Sequence, residues 1–115
     1  MVSRTRVGSV LVVNRFRVLA EEQDAFRASL EEARAALAAC RGFVSGAVGR
    51  NVDDPDLWVL ATTWEGPGAY RRALSSYDVK LRAVPVLGRA LDEPGAYELV
   101  EPGAVLNTAR ARSLG

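Results

Sequence analysis

The sequence predicts an α+β domain with the element order β-α-β-β-α-β, the ferredoxin-like arrangement in which four antiparallel strands form one sheet. Three observations predict it. Apolar residues alternate along Val7–Val18, they recur at helical spacing through Glu21–Cys40, and a turn-rich segment joins two further apolar stretches, Phe43–Asn51 and Leu57–Trp64. With 115 residues, the chain fits one domain and leaves little room for a second.

The first predicted strand, Val7–Val18, has two distinct faces, because successive side chains of a strand point to opposite sides of a sheet. One face carries Val10, Val12, Asn14, Phe16 and Val18, and the other carries Leu11, Val13, Arg15 and Arg17. Both faces are apolar where the strand begins, which indicates that both are covered.

The first helix is predicted from Glu21 to about Cys40. Its apolar stripe repeats at spacings of three and four residues and consists of Phe26, Leu30, Ala33, Leu37 and Cys40. Acidic residues in its first turn suit the positive end of the helix dipole, and Gly42 follows its end. Cys40 is therefore interpreted as a small core residue.

The middle of the chain predicts a β-hairpin and then a second helical region. Three aspartates in the turn at 51–56 fit a hairpin turn better than a metal loop, because the calcium-loop pattern is missing. Pro67 starts the second helical region, and Pro85 breaks or restarts it. The predicted apolar stripe of this region is Tyr70, Ala73, Leu74 and Tyr77.

The last strand is predicted at Ala96–Glu101, after a turn at Asp92–Gly95. The domain is therefore expected to span residues 1–101, followed by a C-terminal tail at 102–115. Helices on one face of the sheet leave the other face to be buried. We expect a homodimer in which that face packs against its copy through Leu11, Val13, Val59 and Ala61.

Composition and charge exclude several classes of function. Fifteen basic and fourteen acidic residues give a net charge of +1 without a basic block, which argues against nucleic-acid binding. The chain has no histidine, so His-based catalysis, haem ligation and most zinc sites lack their side chain. A single cysteine, no signal-peptide pattern and no long apolar run predict a soluble cytoplasmic protein with no membrane partner.

Several residues could carry chemistry, and each also has a plainer structural explanation. Asn14 is a polar amide in an apolar strand face, so it either bonds to a neighbouring loop or holds a ligand oxygen. Trp64, Tyr70 and Tyr77 could be core aromatics or could line a site. Arg82 could be a solvated helix charge, a salt-bridge partner or an anion binder.

Three groups of residues form a recognisable combination: Val12–Val18 (Val-Val-Asn-Arg-Phe-Arg-Val), Gly42–Val44 (Gly-Phe-Val), and Trp64-Glu65 followed by Ala69–Leu74. Together they resemble the antibiotic biosynthesis monooxygenase family, most of all its cofactor-free anthrone oxygenases of aromatic polyketide pathways. The Val-Asn-Arg-Phe motif of the first strand is the most specific of them. The resemblance covers roughly Val7 to Val100.

The resemblance implies a dimeric α+β barrel with a pocket in each subunit between sheet and helices. Asn14 and Trp64 match residues that border the polyketide in similar oxygenases, and Tyr70 and Arg82 fit a helix Tyr and a later helix Arg. It thus implies catalytic roles for Asn14, Trp64 and, if it points inward, Arg82. The expected substrate contacts are Phe16, Leu60, Tyr70 and Tyr77.

The sequence departs from the family pattern at Leu60, where polyketide oxygenases often carry Asn, and this makes the implied pocket more apolar. The haem-degrading branch needs a helix His, which this chain lacks. The resemblance therefore implies a cofactor-independent monooxygenase, with no bound cofactor or metal, that oxidises an anthrone-like aromatic polyketide to a quinone with O2. Two alternatives stay open: a non-redox cyclase or hydrophobic-ligand binding protein, and an interaction module whose barrel serves only assembly.

Overall fold

A four-stranded sheet forms the centre of the computed structural model, which describes residues 9–103 and 105–106. Its strands are β1 (Val10–Arg17), β2 (Phe43–Arg50), β3 (Leu57–Trp64) and β4 (Ala96–Glu98). They lie in the order β2-β3-β1-β4, and every neighbouring pair is antiparallel. This topology confirms the predicted ferredoxin-like α+β fold.

The strand bounds agree with the prediction best in the middle of the chain. β3 has the predicted bounds, and β2 ends at Arg50, one residue early. β4 ends at Glu98 instead of Glu101, because it pairs only with the first three residues of β1. β1 ends at Arg17, one residue before the predicted end, and Ser9, the first described residue, is not part of it. The predicted strand start at Val7 and most of the predicted tail at 102–115 lie outside the described residues.

The first helix, α1 (Gln23–Ala38), follows a short 3-10 turn at Ala20–Glu22. Four of its buried residues belong to the predicted stripe: Phe26, Leu30, Ala33 and Leu37. Ala36 is buried as well. Cys40 lies just beyond the helix end and packs half-buried against the core. No helix within the described ranges is long and apolar enough to cross a bilayer.

The second helical region consists of three short helices. They are α2 (Pro67–Ser75), α3 (Tyr77–Arg82) and α4 (Val84–Leu87), and Pro85 lies in the first turn of α4. Ser76 breaks the run with extended backbone at φ −71° and ψ 149°, and its hydroxyl accepts a bond from the Val79 N–H at 3.4 Å. The break changes the direction in which the next residues point, so Tyr77 is 81% exposed. The prediction that Tyr77 continues the stripe of Tyr70 is therefore wrong.

Glycine at position 42 lets α2 approach the start of β2. Gly42 has φ +90°, and a Cβ there would lie 2.5 Å from Ala69 Cβ. Its carbonyl accepts a hydrogen bond from the Glu65 N–H at 2.8 Å. The turn thereby delivers Phe43 edge-on to the ring of Trp64, with centroids 5.3 Å apart.

The two faces of the sheet differ in burial. The helix-covered face of β1 and β3 holds side chains that are 7% exposed or less: Val10, Val12, Phe16, Trp58, Leu60, Thr62 and Trp64. Asn14 shares this face and is half-buried. The opposite face, here called the open face, carries Leu11, Val13, Val59 and Ala61, all half-buried. The period-2 alternation predicted for β1 thus continues across β3.

Candidate active site

Asn14 is held between a helix and a backbone segment. On the covered face of β1, the register pairs it with Leu60 of β3, and its side-chain amide contacts the hydroxyl of Tyr70 from α2. The chain before β4 passes close by, since a Cβ on Gly95 would lie 3.6 Å from Asn14 Oδ1 and 2.9 Å from the Val13 carbonyl oxygen. Only glycine fits there without displacing β1.

Residues 91–95, here called the β4 approach, are attached to β1 on both sides of Asn14. The Val13 N–H donates to the Gly95 carbonyl at 2.7 Å, and the Leu91 N–H donates to the Arg15 carbonyl at 2.8 Å. The Arg15 guanidinium also makes two hydrogen bonds of 2.7 Å to the Glu93 carboxylate. These bonds lower the pKa of Glu93, so the pair stays charged and ties the β4 approach to β1 from the open face.

Trp64 is the most enclosed aromatic residue of the site, with a relative exposure of 0%. Its indole Nε1 donates a hydrogen bond of 2.9 Å to Thr62 Oγ1, a hydroxyl that is itself buried on the same face of β3. The ring also packs against Tyr70, with centroids 5.5 Å apart and planes tilted by 54°. One hydrogen bond and two ring contacts therefore fix the orientation of the indole.

Tyr70 connects the polar and aromatic parts of the site, since it contacts both Asn14 and Trp64. Burial raises the pKa of the Tyr70 hydroxyl above its ordinary value, and the amide of Asn14 acts weakly in the opposite direction. The phenol is therefore protonated at neutral pH and can donate a hydrogen bond.

The side chains gathered here are neutral hydrogen-bonding groups and aromatic rings: Asn14, Thr62, Trp64 and Tyr70. Such a set can bind a planar aromatic ligand and stabilise negative charge on one of its oxygens. Among the described residues, His, Cys, Asp and Glu form no group of three that could hold a metal ion.

Two predicted substrate contacts, Phe16 and Leu60, lie in the core next to the site. Leu60 is 0% exposed and lies directly opposite Asn14 across the β1–β3 ladder, so it forms an apolar wall beside the Asn14 amide. Phe16 is 1% exposed and belongs to a second aromatic cluster, where its ring lies 5.1 Å from that of Phe26. Its predicted role as a substrate contact gains no support from this placement.

Two other predicted site residues lie apart from Asn14. The Arg82 guanidinium donates to Asp78 at 2.9 Å and to Glu32 of α1 at 3.2 Å, and these hydrogen bonds raise its pKa further. Arg82 thus bridges α3 and α1, and the condition for its catalytic role, an inward orientation, is not met. Tyr77, at the start of α3, faces solvent.

Thr62, whose hydroxyl orients Trp64, is a site residue that was not predicted from the sequence. The alternation of β3 already placed Thr62 on the same face as Trp58, Leu60 and Trp64, and a hydroxyl on a buried face requires a partner. That requirement could have identified Thr62 from the sequence. Nothing in the sequence indicates that Gly95 lies close to Val13 and Asn14, because this contact depends on the tertiary path of the β4 approach.

The chain belongs to the antibiotic biosynthesis monooxygenase family, whose sequence profile matches residues 9–81. The matched range runs from β1 into α3, where it stops one residue before Arg82, and it includes Asn14, Thr62, Trp64 and Tyr70. No curated protein sequence matches the chain.

Solved structures are similar to this chain. SnoaB, a cofactor-independent oxygenase from Streptomyces nogalater, is similar with a TM-score of 0.71 and 25% identity, covering 83% of this chain and 96% of SnoaB. A Chloroflexus aurantiacus protein named as a candidate antibiotic biosynthesis monooxygenase has a TM-score of 0.65 and 22% identity. The match covers 82% of this chain and 95% of that protein. A conserved Methanosarcina mazei protein has a TM-score of 0.68 and 18% identity, and the match covers 80% of this chain and 93% of that protein. At these two lower identities the likeness concerns the fold alone.

The partly buried phenol of Tyr70 makes the stability of the fold depend on pH in alkaline solution. The folded state keeps the phenolic proton to a higher pH than the unfolded chain, where tyrosine ionises near pH 10. Folding therefore loses stability as the pH rises past about 10. Between about pH 8 and pH 11, we expect the free energy of unfolding to decline less in Tyr70→Phe than in the unmodified chain, because phenylalanine has no phenolic proton to lose.

Urea unfolding at both pH values measures this decline, and Tyr77→Phe is the matched control because that side chain is exposed. The control should decline as the unmodified chain does. An equal decline in the unmodified chain and Tyr70→Phe would contradict the raised pKa.

Proposed function

We propose that this chain is a cofactor-independent monooxygenase that oxidises an anthrone-like aromatic polyketide to a quinone with O2. One observation carries the proposal: the amide of Asn14 and the hydroxyl of Tyr70 meet beside the buried ring of Trp64. The similarity to SnoaB, which is named a cofactor-independent oxygenase, supports the reaction class.

The proposed reaction converts a ring methylene opposite a carbonyl group into a second carbonyl. Loss of a proton gives a delocalised carbanion, which passes one electron to O2, and the two radicals combine into a peroxide. Loss of water from the peroxide yields the quinone. One oxygen atom enters the product and the other leaves in water, so the substrate supplies all the electrons and no external reductant is needed.

In this reaction, Asn14 and Tyr70 stabilise the oxygen on which negative charge develops. The Asn14 amide donates a hydrogen bond to it, and the protonated Tyr70 hydroxyl adds a second donor and can return a proton. Neither group is a strong base, so the substrate ionises through its own acidity. That requirement is what selects an anthrone-like compound, whose carbanion is stabilised by two flanking rings.

The apolar walls of the site exclude water from the carbanion. Leu60 and Trp64 are both fully buried, and the half-buried Tyr70 packs against the Trp64 ring. Exclusion of water strengthens the hydrogen bonds from Asn14 and Tyr70 to the developing oxyanion.

Oxygen uptake with anthrone as the probe substrate tests the proposed roles. Asn14→Ala removes an oxyanion donor and should lower kcat roughly 100-fold or more, as loss of one such donor does in other enzymes. Trp64→Phe should also lower the rate, because it removes the indole hydrogen bond to Thr62 and part of the wall.

The matched control is Asn51→Ala, which deletes an amide in the β2–β3 turn, where Asn51 Oδ1 accepts bonds from the N–H groups of Asp53 and Asp54. It should keep the activity. Rates unchanged in both Asn14→Ala and Trp64→Phe would remove these residues from the mechanism.

A non-redox role is the second candidate, and the placement of Leu60 favours it. A fully buried leucine lies directly opposite Asn14, which makes this part of the site suited to binding or cyclising an apolar polyketide. Anaerobic turnover separates the two functions. An oxygenase stops without O2, whereas a cyclase continues.

The proposal includes a homodimer formed through the open face of the sheet. The apolar residues of that face lie in adjacent positions of the β1–β3 ladder: Leu11, Val13, Val59 and Ala61. Its two arginines are already paired, Arg15 with Glu93 and Arg17 with Asp54, at 2.7 and 2.9 Å. Their charges are therefore balanced at the rim of the apolar area.

Light scattering at micromolar concentration tests the dimer. The expected mass is twice the 12.4 kDa of one chain. Ala61→Arg should reduce it to one chain, because it buries an unpaired charge in the contact. Val52→Arg, at a turn residue that is 94% exposed, should leave the dimer intact. A monomeric mass for the unmodified protein would contradict the proposal.

A further inference from the structure

A groove on the helical side of the molecule lies apart from Asn14, Trp64 and Tyr70. It runs between the C-terminal end of α1 and the α2–α3 junction and has a volume of about 480 Å³. The residues that line it are Ala36, Ala39, Cys40 and Arg41 on one side and Arg72, Ala73, Ser76 and Asp78 on the other.

Small side chains create this groove. Ala36 and Ala73 are 1% and 4% exposed and form its floor, so no larger side chain fills the space between α1 and α2. Cys40 is half-buried at the wall, and its thiol donates to the Ala36 carbonyl with a sulfur–oxygen distance of 3.6 Å. The floor is therefore apolar, and the volume is that of a small-molecule site.

Two arginines give the groove its charge. Within residues 9–103 and 105–106, neither Arg41 nor Arg72 takes part in a salt bridge. The Asp78 carboxylate also lines the groove, but Arg82 binds it at 2.9 Å and offsets its charge. Arg41 and Arg72 thus add to the lining of the apolar groove two guanidinium groups that form no salt bridge with any described residue.

We propose that this groove is a second ligand site, which binds a small organic carboxylate with an apolar body. Guanidinium groups bind carboxylates through paired hydrogen bonds, and the alanine floor gains from contact with a ring or alkyl chain. An inorganic anion would satisfy Arg41 and Arg72 but would leave the floor in contact with water. The site is separate from the proposed oxidation and does not depend on it.

Cys40 provides a direct measurement of occupancy, because it lines the groove and is the only cysteine of the chain. Alkylation by iodoacetamide, a neutral reagent, is followed by intact mass with benzoate or with benzamide present. Benzoate at ten times its dissociation constant should slow alkylation about tenfold, since only the empty groove reacts. Benzamide, which has the same ring without the charge, should have little effect.

Two variants assign this protection to the groove. In the double variant Arg41→Gln with Arg72→Gln, benzoate should no longer slow the alkylation of Cys40. In Arg71→Gln, a residue of α2 outside the groove lining, benzoate should slow it as in the unmodified protein. Ala39→Phe should slow alkylation without any ligand, because Ala39 is exposed at the groove wall and a ring there fills the space.

Three results would overturn the proposal. They are no protection by benzoate, full protection by benzoate in the double variant, and equal protection by inorganic phosphate, which would show an unspecific anion effect. Because each benzoate comparison is a ratio of rates within one variant, changes in the intrinsic reactivity of Cys40 do not affect these three results.

Discussion

The pairing of β1 with β3 determines both the core and the candidate site. The antiparallel register places Asn14 opposite Leu60 and Val12 opposite Thr62, all on the face that the helices cover. Because side chains alternate along a strand, a slip of one residue would turn Asn14 to the open face and carry Val13 under the helices. The apolar neighbours of Asn14 thus fix the position of the one amide on which the proposed chemistry depends.

A buried polar group on this face needs a hydrogen-bond partner, and one such group has none among the described residues. A buried donor without an acceptor costs roughly 1–3 kcal/mol, so the Thr62 hydroxyl that accepts from Trp64 Nε1 stabilises the fold as well as the orientation of the ring. Trp58, at the other end of β3, is also buried, yet its Nε1 has no acceptor among the described residues. Its ring is held by the edge of Phe26 and by the Arg50 guanidinium instead. The two tryptophans therefore differ in function: Trp64 is oriented by a polar bond, and Trp58 is packed.

The sequence predicted the parts of the structure that depend on local periodicity. The alternation of β1 and β3 and the stripe of α1 placed Asn14 and Trp64 on the covered face, because these patterns directly reflect burial. The prediction was wrong at Tyr77, since one residue in extended conformation, Ser76, separates α2 from α3. The pairing of Arg82 with Glu32 depends on how α3 packs on α1, which no local pattern encodes.

The proposed oxidation requires that Asn14 contacts the ligand that is oxidised. Nuclear magnetic resonance of 15N-labelled protein can follow the Asn14 side-chain amide during titration with anthraquinone, a product-like compound that cannot be oxidised further at the reacting carbon. We predict that the Asn14 amide signals shift until the protein is saturated, while those of Asn51, in the β2–β3 turn, stay unchanged. Binding of anthraquinone without any change at Asn14 would contradict it.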